Sequence, residues 1–309
     1  MKPSEKARGE RRTAALTAYD SDVTPLPGIK PLGYLEVLVE QLVESLRRIE
    51  FVHHIRDSTI STKRSDPSQD IFDPLRSAVL HLRNGNLDEA YWLVFLATHF
   101  GKSASGWALV RDIYGRLGHG KLWNWKSISA DPASFRHWLR DNQERLEGRR
   151  FSNHRKFESL KADSKKGTAE VLESYVRWVM KYGSHGEMVR TIHKEIGQNP
   201  RDAFDFMYRS MDEVLRFGRL GRFDYLTMLG KLGISPIEPG SAYLWHNASG
   251  PLAGAKLLFL GDADSVYQAR RLDRQLEELD KQLKVGMQTL EDALCNWQKS
   301  PGRFISFRG

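Results

Sequence analysis

The stretch LEVLVEQLVESLRRI, residues 35–49, decides the fold class of this chain. Its apolar residues recur at spacings of three and four, with charged side chains between them. They are Leu35, Leu38, Val39, Leu42, Val43, Leu46 and Ile49. A helix with 3.6 residues per turn puts residues at these spacings on one face. The stretch therefore predicts an amphipathic α-helix that buries one face.

Helical patterning continues along most of the chain, interrupted by a loop over residues 57–71. Further helices are predicted near 73–84, 86–100, 105–117, 132–146, 168–182, 185–196, 200–215, 221–231, 252–260 and 265–298. Asp70 or Asp73 is the candidate N-cap of the first of these. Alternating β-branched runs are scarce, and no fixed repeat is present. The predicted fold class is mainly α.

The domain organisation follows from composition. The N-terminal segment is polar and contains the Pro/Gly-rich run TPLPGIKPLG, so residues 1–30 are predicted to form a flexible basic arm. Residues 31–309 form one helical unit, which divides into lobes 31–165 and 166–309 if it divides at all. With 40% hydrophobic residues, 8 Trp and 14 Phe, the chain can bury a substantial core. Without a signal peptide or an apolar run of about 18 residues, a cytoplasmic protein with no membrane contact is expected.

The positive charge of the chain is concentrated in two windows. The formal net charge is +8, of which residues 1–12 contribute +3 and residues 145–166 contribute +5. Clustered cations displace the counterions of nucleic acid and so gain affinity for it. This pattern predicts a nucleic-acid partner, and a solvated helix face beside a basic tail is the alternative.

Several kinds of site are excluded by residue types. Cys295 is the single cysteine, which rules out an internal disulfide, a cysteine-rich zinc site and a four-cysteine iron–sulfur cluster. The ten histidines show no metal-ligand spacing such as H-E-x-x-H. The segment GRLGHGKL, residues 115–122, approaches a phosphate-binding loop, but Leu122 replaces the hydroxyl that binds magnesium. Neither a metal nor a cofactor is predicted.

The basic stretch GRRFSNHRKFESL, residues 148–160, combines cations with hydrogen-bonding side chains. Asn153 and His154 are candidates to bond a base edge or a leaving group. Four cations are candidates to hold phosphates: Arg149, Arg150, Arg155 and Lys156. An ordinary helix start capped by Ser152 or Asn153 is the alternative.

A candidate catalytic carboxylate lies in RFGRLGRFDYLTMLGKLG, residues 216–233, where Asp224 stands close to a predicted helix start. Four glycines, two before it and two after it, allow close backbone approach to a ligand. Asp224 either caps its own helix or faces a substrate. Arg219 and Arg222 in the same run are further phosphate-binding candidates.

A second pair of carboxylates lies in the last predicted helix, GMQTLEDALCNWQKS. Glu291 and Asp292 stand beside the apolar residues Leu290 and Leu294. The pair either forms a solvated face or points into a cleft with a raised pKa, as a general acid or base requires.

The segment SGPLAGAKLL, residues 249–258, allows two interpretations. Gly250 and Gly254 resemble the turn of a helix-hairpin-helix, whose backbone N–H groups hold a phosphate, with Lys256 beside them. The spacing of Gly250, Pro251 and Gly254 departs from the usual pattern, L-P-G-h-G. A loop that starts a core helix is the other interpretation.

Five strings together resemble the family of alpha-glutamyl/putrescinyl thymine pyrophosphorylases, clade 3, from about residue 25 to the end of the chain. They are HFGKSASGWALVRDIYGRLG, RRFSNHRKFESL, FGRLGRFDYLTMLGKLGISPIEPGSAYL, SGPLAGAKLLF and LEDALCNWQKSP. The resemblance implies an all-α fold of the helix-hairpin-helix DNA glycosylase type, with DNA in a basic cleft between two lobes. The family name implies action on hypermodified thymines of phage DNA, and relatives in bacterial defence are implicated in excising modified bases.

These observations lead to the hypothesis of a DNA glycosylase that flips a modified pyrimidine and hydrolyses its N-glycosidic bond. Asp224 is the first candidate carboxylate, followed by Asp292 with Glu291 beside it. Asn153 and His154 are expected to contact the base, and three aromatic residues to line its pocket: Trp107, Phe223 and Tyr225. The alternatives are a transferase that installs an amine or amino acid on pyrophosphorylated hydroxymethyl-thymine, and a non-catalytic reader of modified DNA.

Overall fold

The computed structural model describes residues 3–246 and 248–307, and this part of the chain is built from fourteen α-helices. The helices are α1 (Pro3–Asp22), α2 (Tyr34–Asp57), α3 (Pro74–Arg83), α4 (Leu87–Phe100), α5 (Ala108–Tyr114), α6 (Trp125–Ala130), α7 (Pro132–Asp141), α8 (Thr168–Met180), α9 (His185–Ile196), α10 (Pro200–Ser210), α11 (Arg219–Lys231), α12 (Ser249–Leu260), α13 (Ala269–Leu283) and α14 (Met287–Trp297). In these ranges the β-type pairing is limited to one bridge between Ser103 and Gly106. The predicted mainly α class is confirmed. None of the described helices has the length and apolar character needed to cross a membrane.

Local sequence signals explain several helix boundaries. Asp73 caps α3, where its carboxylate accepts the backbone N–H groups of Leu75 and Arg76. The single helix predicted over 265–298 is divided into α13 and α14. Lys284 ends α13 in a left-handed conformation with φ of 51°, and Gly286, with φ of 85°, stands before the first residue of α14.

The chain forms two compact units whose boundaries differ from the predicted lobes. The first unit is Met1–Val52 with Pro239–Arg308, and the second is His53–Glu238. The core of the first unit takes side chains from both ends of the chain, among them Leu16, Leu42 and Trp297. The last three helices share a core with α1 and α2. The packing therefore does not divide the chain at residue 165.

The expected flexible arm over residues 1–30 is instead mostly a packed helix. Leu16 and Tyr19 of α1 are fully buried in the core of the first unit, and α1 lies against α13. Residues three apart lie on the same face of a helix, so Leu16 and Tyr19 together pack α1 against the core. The segment was predicted to be flexible because its other residues are mostly polar.

The segment SGPLAGAKLL is the start of the core helix α12. A Cβ added to Gly254 would lie 2.3 Å from the carbonyl oxygen of Leu294, and one on Gly250 would lie 2.6 Å from Sγ of Cys295. Both glycines therefore serve the close approach of α12 to α14. This packing explains the two glycines without a phosphate, so their phosphate-binding role stays a prediction, and Lys256 of the same helix is half-buried.

We expect Gly254→Ala to lower the free energy of unfolding by about 1–3 kcal/mol, since its methyl group would overlap the backbone of α14. Gly9→Ala is the matched control in the same unit, because its Cβ would meet Val39 only at 3.6 Å. This control replaces a helical glycine and should gain up to about 1 kcal/mol. Urea denaturation measures both, and equal stability of the two variants would contradict the packing role of Gly254.

Candidate active site

The candidate site is built around α11 in the second unit. This helix begins after Gly218, which provides no side-chain cap. Asp224 lies in the second turn of the helix, too far from its start to cap it. The capping alternative for Asp224 is thus excluded.

A chain of buried polar groups fixes α11 against α4, α8 and α9. The hydroxyl of Tyr225 lies 2.6 Å from that of Tyr175, which lies 2.7 Å from Nε2 of His185. Nδ1 of His185 lies 2.7 Å from a carboxylate oxygen of Asp88. Burial lowers the pKa of His185, so its ring is neutral, donates from Nδ1 to Asp88 and accepts the Tyr175 proton at Nε2. Tyr225 then donates to Tyr175.

Two of the aromatic residues predicted to line a base pocket are core residues. Phe223 is 1% exposed and Tyr225 is 0% exposed. The ring of Tyr225 packs edge-on against Phe95, with ring centroids 5.9 Å apart. This burial contradicts the prediction that the two rings stack on a flipped base. Trp107, the third candidate, is half-buried at the start of α5.

Asp224 is a half-buried carboxylate in a positively charged surrounding. Burial raises its pKa, and the charge of Arg155 is the largest influence that opposes this rise. His154, Lys231 and Arg219 act in the same direction as Arg155. The structure thus brings together four of the predicted site residues, and a carboxylate with a raised pKa is suited to proton transfer.

Arg155 belongs to a short helical turn, Asn153–Arg155, and its guanidinium is buried. It lies over the ring of Phe217, 5.2 Å from the ring centroid. It also lies against Gly221, where a Cβ would stand 2.9 Å from Nη1 and 3.1 Å from Nη2. The glycine of α11 therefore permits the close approach of this cation to the helix.

The other predicted polar residues are of two kinds: exposed side chains, and side chains that form ion pairs or hydrogen bonds within the fold. Those at the surface are Arg150, Asn153, His154 and Lys156. Arg149 is paired with Asp112, with Nε 2.5 Å from a carboxylate oxygen. Arg222 is buried, donates to the carbonyl oxygen of Tyr208 at 3.2 Å and pairs with Asp212. This burial contradicts the phosphate-binding role predicted for Arg222, because its guanidinium already bonds to Tyr208 and Asp212.

The second pair of candidate carboxylates lies on α14 in the first unit. Asp292 accepts from Nη2 and Nε of Arg48 at 2.6 and 3.2 Å, and from the amide of Asn296 at 3.0 Å. Glu291 is a buried side chain. Both Arg48 groups donate to one carboxylate oxygen of Asp292 and Asn296 donates to the other, an arrangement that suits a structural role better than proton transfer.

Sequence reasoning missed the contact that joins the basic stretch to the start of α11. Arg216, with a φ of 62°, pairs with Glu158 through Nε and Nη2, both at 3.1 Å. Nη2 also donates to the carbonyl oxygen of Phe157. A pair formed across 58 residues leaves no local sequence signal. Among the residues described, no cluster of three or more His, Cys, Asp or Glu side chains is arranged to hold a metal ion.

Comparison with known proteins identifies the family. The family model described as "Alpha-glutamyl/putrescinyl thymine pyrophosphorylase clade 3" matches residues 34–309, which include every candidate residue named above. The resemblance indicated by the five sequence strings is confirmed. No curated protein and no solved structure matches the chain.

Proposed function

We propose, from the premise that the chain belongs to the alpha-glutamyl/putrescinyl thymine pyrophosphorylase clade 3 family, that it is an enzyme acting on a modified pyrimidine of DNA. Asp224 is the reacting carboxylate. The observation that carries the proposal is the position of Asp224, half-buried with a raised pKa and surrounded by positive side chains. Such perturbed carboxylates concentrate at functional sites.

DNA as the partner is supported by the surface of the basic stretch 148–160, whose Arg155 and His154 act on Asp224. Arg150, Asn153, His154 and Lys156 of this stretch are exposed. Cations gain affinity from counterions released by phosphates, and the amide and imidazole can bond a base edge. An enzyme that reacts with a base must first take it out of the stack, so this surface would hold the strand around a flipped nucleotide.

Hydrolysis of the N-glycosidic bond is the leading reaction. A water molecule attacks C1′ of the deoxyribose, the bond to the base breaks, and the base departs with the bonding electrons. The Asp224 carboxylate accepts the water's proton, and its negative charge stabilises the positive charge that develops on the sugar. A raised pKa makes this carboxylate a stronger base than an ordinary aspartate. Excision of modified bases would serve defence against phages with hypermodified genomes.

A substitution on the base is the second candidate, favoured by the number of cations around Asp224. In this reaction an amine attacks the exocyclic methylene of a pyrophosphorylated hydroxymethyl-thymine. The carbon–oxygen bond breaks and pyrophosphate leaves, while Asp224 takes the proton from the amine. Arg155 and Arg219 would hold the leaving group, and the family description names a pyrophosphorylase.

Incubation with modified phage DNA separates these reactions. We expect mass spectrometry to detect a released modified base, and the DNA to contain abasic sites at the same positions. An altered nucleoside that stays in the strand, with pyrophosphate released, would establish the substitution instead. DNA containing only unmodified thymine is the control. Binding of modified DNA without any chemical change would contradict both reactions and establish a non-catalytic reader.

A further inference from the structure

We infer that the first turn of α11 and the buried guanidinium of Arg155 form a binding site for a phosphoryl group. The inference deepens the proposed function, on which it rests for the choice of ligands, by adding a specific anion subsite next to Asp224. A phosphodiester of the DNA strand and a free pyrophosphate share this chemistry.

The start of α11 provides the first half of the site. The N-cap residue is Gly218, which has no side chain to bond the N–H groups of the first turn, and no acidic residue lies in that turn. The first N–H groups of a helix lack partners within the helix and carry its positive dipole end. Phosphoryl groups bind at helix starts for this reason.

Arg155 provides the second, independent half. Its side chain is 7% exposed, and Nη2 has no hydrogen-bond partner among the described residues. A buried guanidinium N–H without an acceptor is unfavourable, so an acceptor from a ligand is expected. The guanidinium lies against Gly221 in the same first turn of α11.

Gly221 and Phe217 orient the guanidinium. Its approach to α11 requires the missing side chain of Gly221, while the ring of Phe217 covers it at 5.2 Å. A guanidinium is planar, and its N–H groups form a fork that matches two phosphoryl oxygens. The aromatic contact and the glycine therefore hold the guanidinium beside the first turn of the helix.

The surrounding charges favour an anion. Three cations act on Asp224, namely Arg155, Arg219 and Lys231. Arg216 and Glu158 also act on Arg155, so the cations outnumber the two carboxylates of this cluster. A phosphoryl group would complete the charge balance of this part of the second unit.

Calorimetric titration of the full chain with inorganic pyrophosphate and with a single-stranded DNA oligonucleotide tests the inference. Gly221→Ala displaces the guanidinium with a methyl group but adds a good helix former, so the helix should be retained. Arg155→Gln removes the cation. We expect each variant to lose affinity for at least one of the ligands by about tenfold or more. Arg190→Gln, an exposed change on α9 of the same unit, should bind pyrophosphate as the original chain does.

The affected ligand identifies the source of the phosphoryl group. Loss of pyrophosphate binding assigns the site to a leaving group or product, and loss of oligonucleotide affinity alone assigns it to the strand. Unchanged affinity for both ligands in Gly221→Ala and Arg155→Gln would overturn the inference, as would failure of the original chain to bind either ligand. Asp224→Asn separates the two proposals. Full activity of this variant would contradict the proposed function, whereas the subsite is tested by the pyrophosphate and oligonucleotide affinities of Gly221→Ala and Arg155→Gln.

Discussion

Asp224→Asn is expected to lower kcat on modified DNA by about 10²–10⁴-fold, the usual contribution of a positioned general acid or base. The amide has the size of the carboxylate but cannot accept a proton or stabilise a developing positive charge on the sugar. Single-turnover measurement of base release gives the value. Asp202→Asn, an exposed change on α10 in the same unit, is the control and should leave the rate unchanged.

The stability of Asp224→Asn distinguishes a catalytic loss from misfolding. Burial raises the pKa of Asp224 in the folded chain, so its ionised form is disfavoured there. A group with a raised folded pKa stabilises the fold at acidic pH, and this stabilisation is lost as the pH rises through the folded pKa. At neutral pH the variant should therefore unfold at the same or a higher temperature. A variant that is stable but keeps a rate within about threefold of the original would contradict the role of Asp224.

The pH profile gives a further check on the same residue. A general base must be ionised, so the acid limb of kcat/KM should lie above the ordinary range of an aspartate. Arg155 lowers the pKa of Asp224, since its positive charge favours the carboxylate. Arg155→Gln should move the acid limb to higher pH, whereas loss of a merely structural contact would lower the rate without moving the limb.

The sequence marked the two residues at the centre of the candidate site but not the side chains around them. Asp224 and Arg155 were both predicted, because charge density and glycine spacing mark their two segments. Phe223 and Tyr225 were assigned to the pocket because they flank Asp224 in the sequence. Neighbouring residues of a helix point about 100° apart, so adjacency to an exposed position does not indicate exposure. Both rings point into the core of the second unit.

The pairings that define the units could not be predicted from periodicity. Helical spacing shows that a face is buried but not against which helix it packs. Asp292 looked available because its partner, Arg48, is 244 residues away, and Gln41 reaches the carbonyl oxygen of Ile305 across 264 residues. The side chains on a helix face could thus be predicted from the sequence. Their ion-pair and hydrogen-bond partners, hundreds of residues away, could not.

The buried carboxylate of Glu89 on α4 should give the largest loss of stability on substitution. It accepts the hydroxyl of Tyr114 and the backbone N–H of Trp125, each at 2.8 Å, and so joins α4, α5 and the start of α6. Glu89→Ala leaves two buried donors unpaired, at a cost of about 1–3 kcal/mol for each. We expect the free energy of unfolding to fall by about 2–6 kcal/mol in urea denaturation. Glu144→Ala, at an exposed position of the same unit, should change it by less than about 0.5 kcal/mol.

The pH dependence of stability in the original chain gives a second test of this contact, because burial raises the pKa of Glu89. Its contribution is present at acidic pH and is lost as the pH rises through the folded pKa, so the stability gap to Glu89→Ala should narrow in that direction. Glu89→Gln keeps one oxygen that can accept one of the two donors. Its free energy of unfolding should therefore lie between those of the original chain and Glu89→Ala. If Glu89→Ala were as stable as Glu144→Ala, the donors of Tyr114 and Trp125 would have found other acceptors. The position of α4 would then depend on the aromatic packing around Phe95 alone.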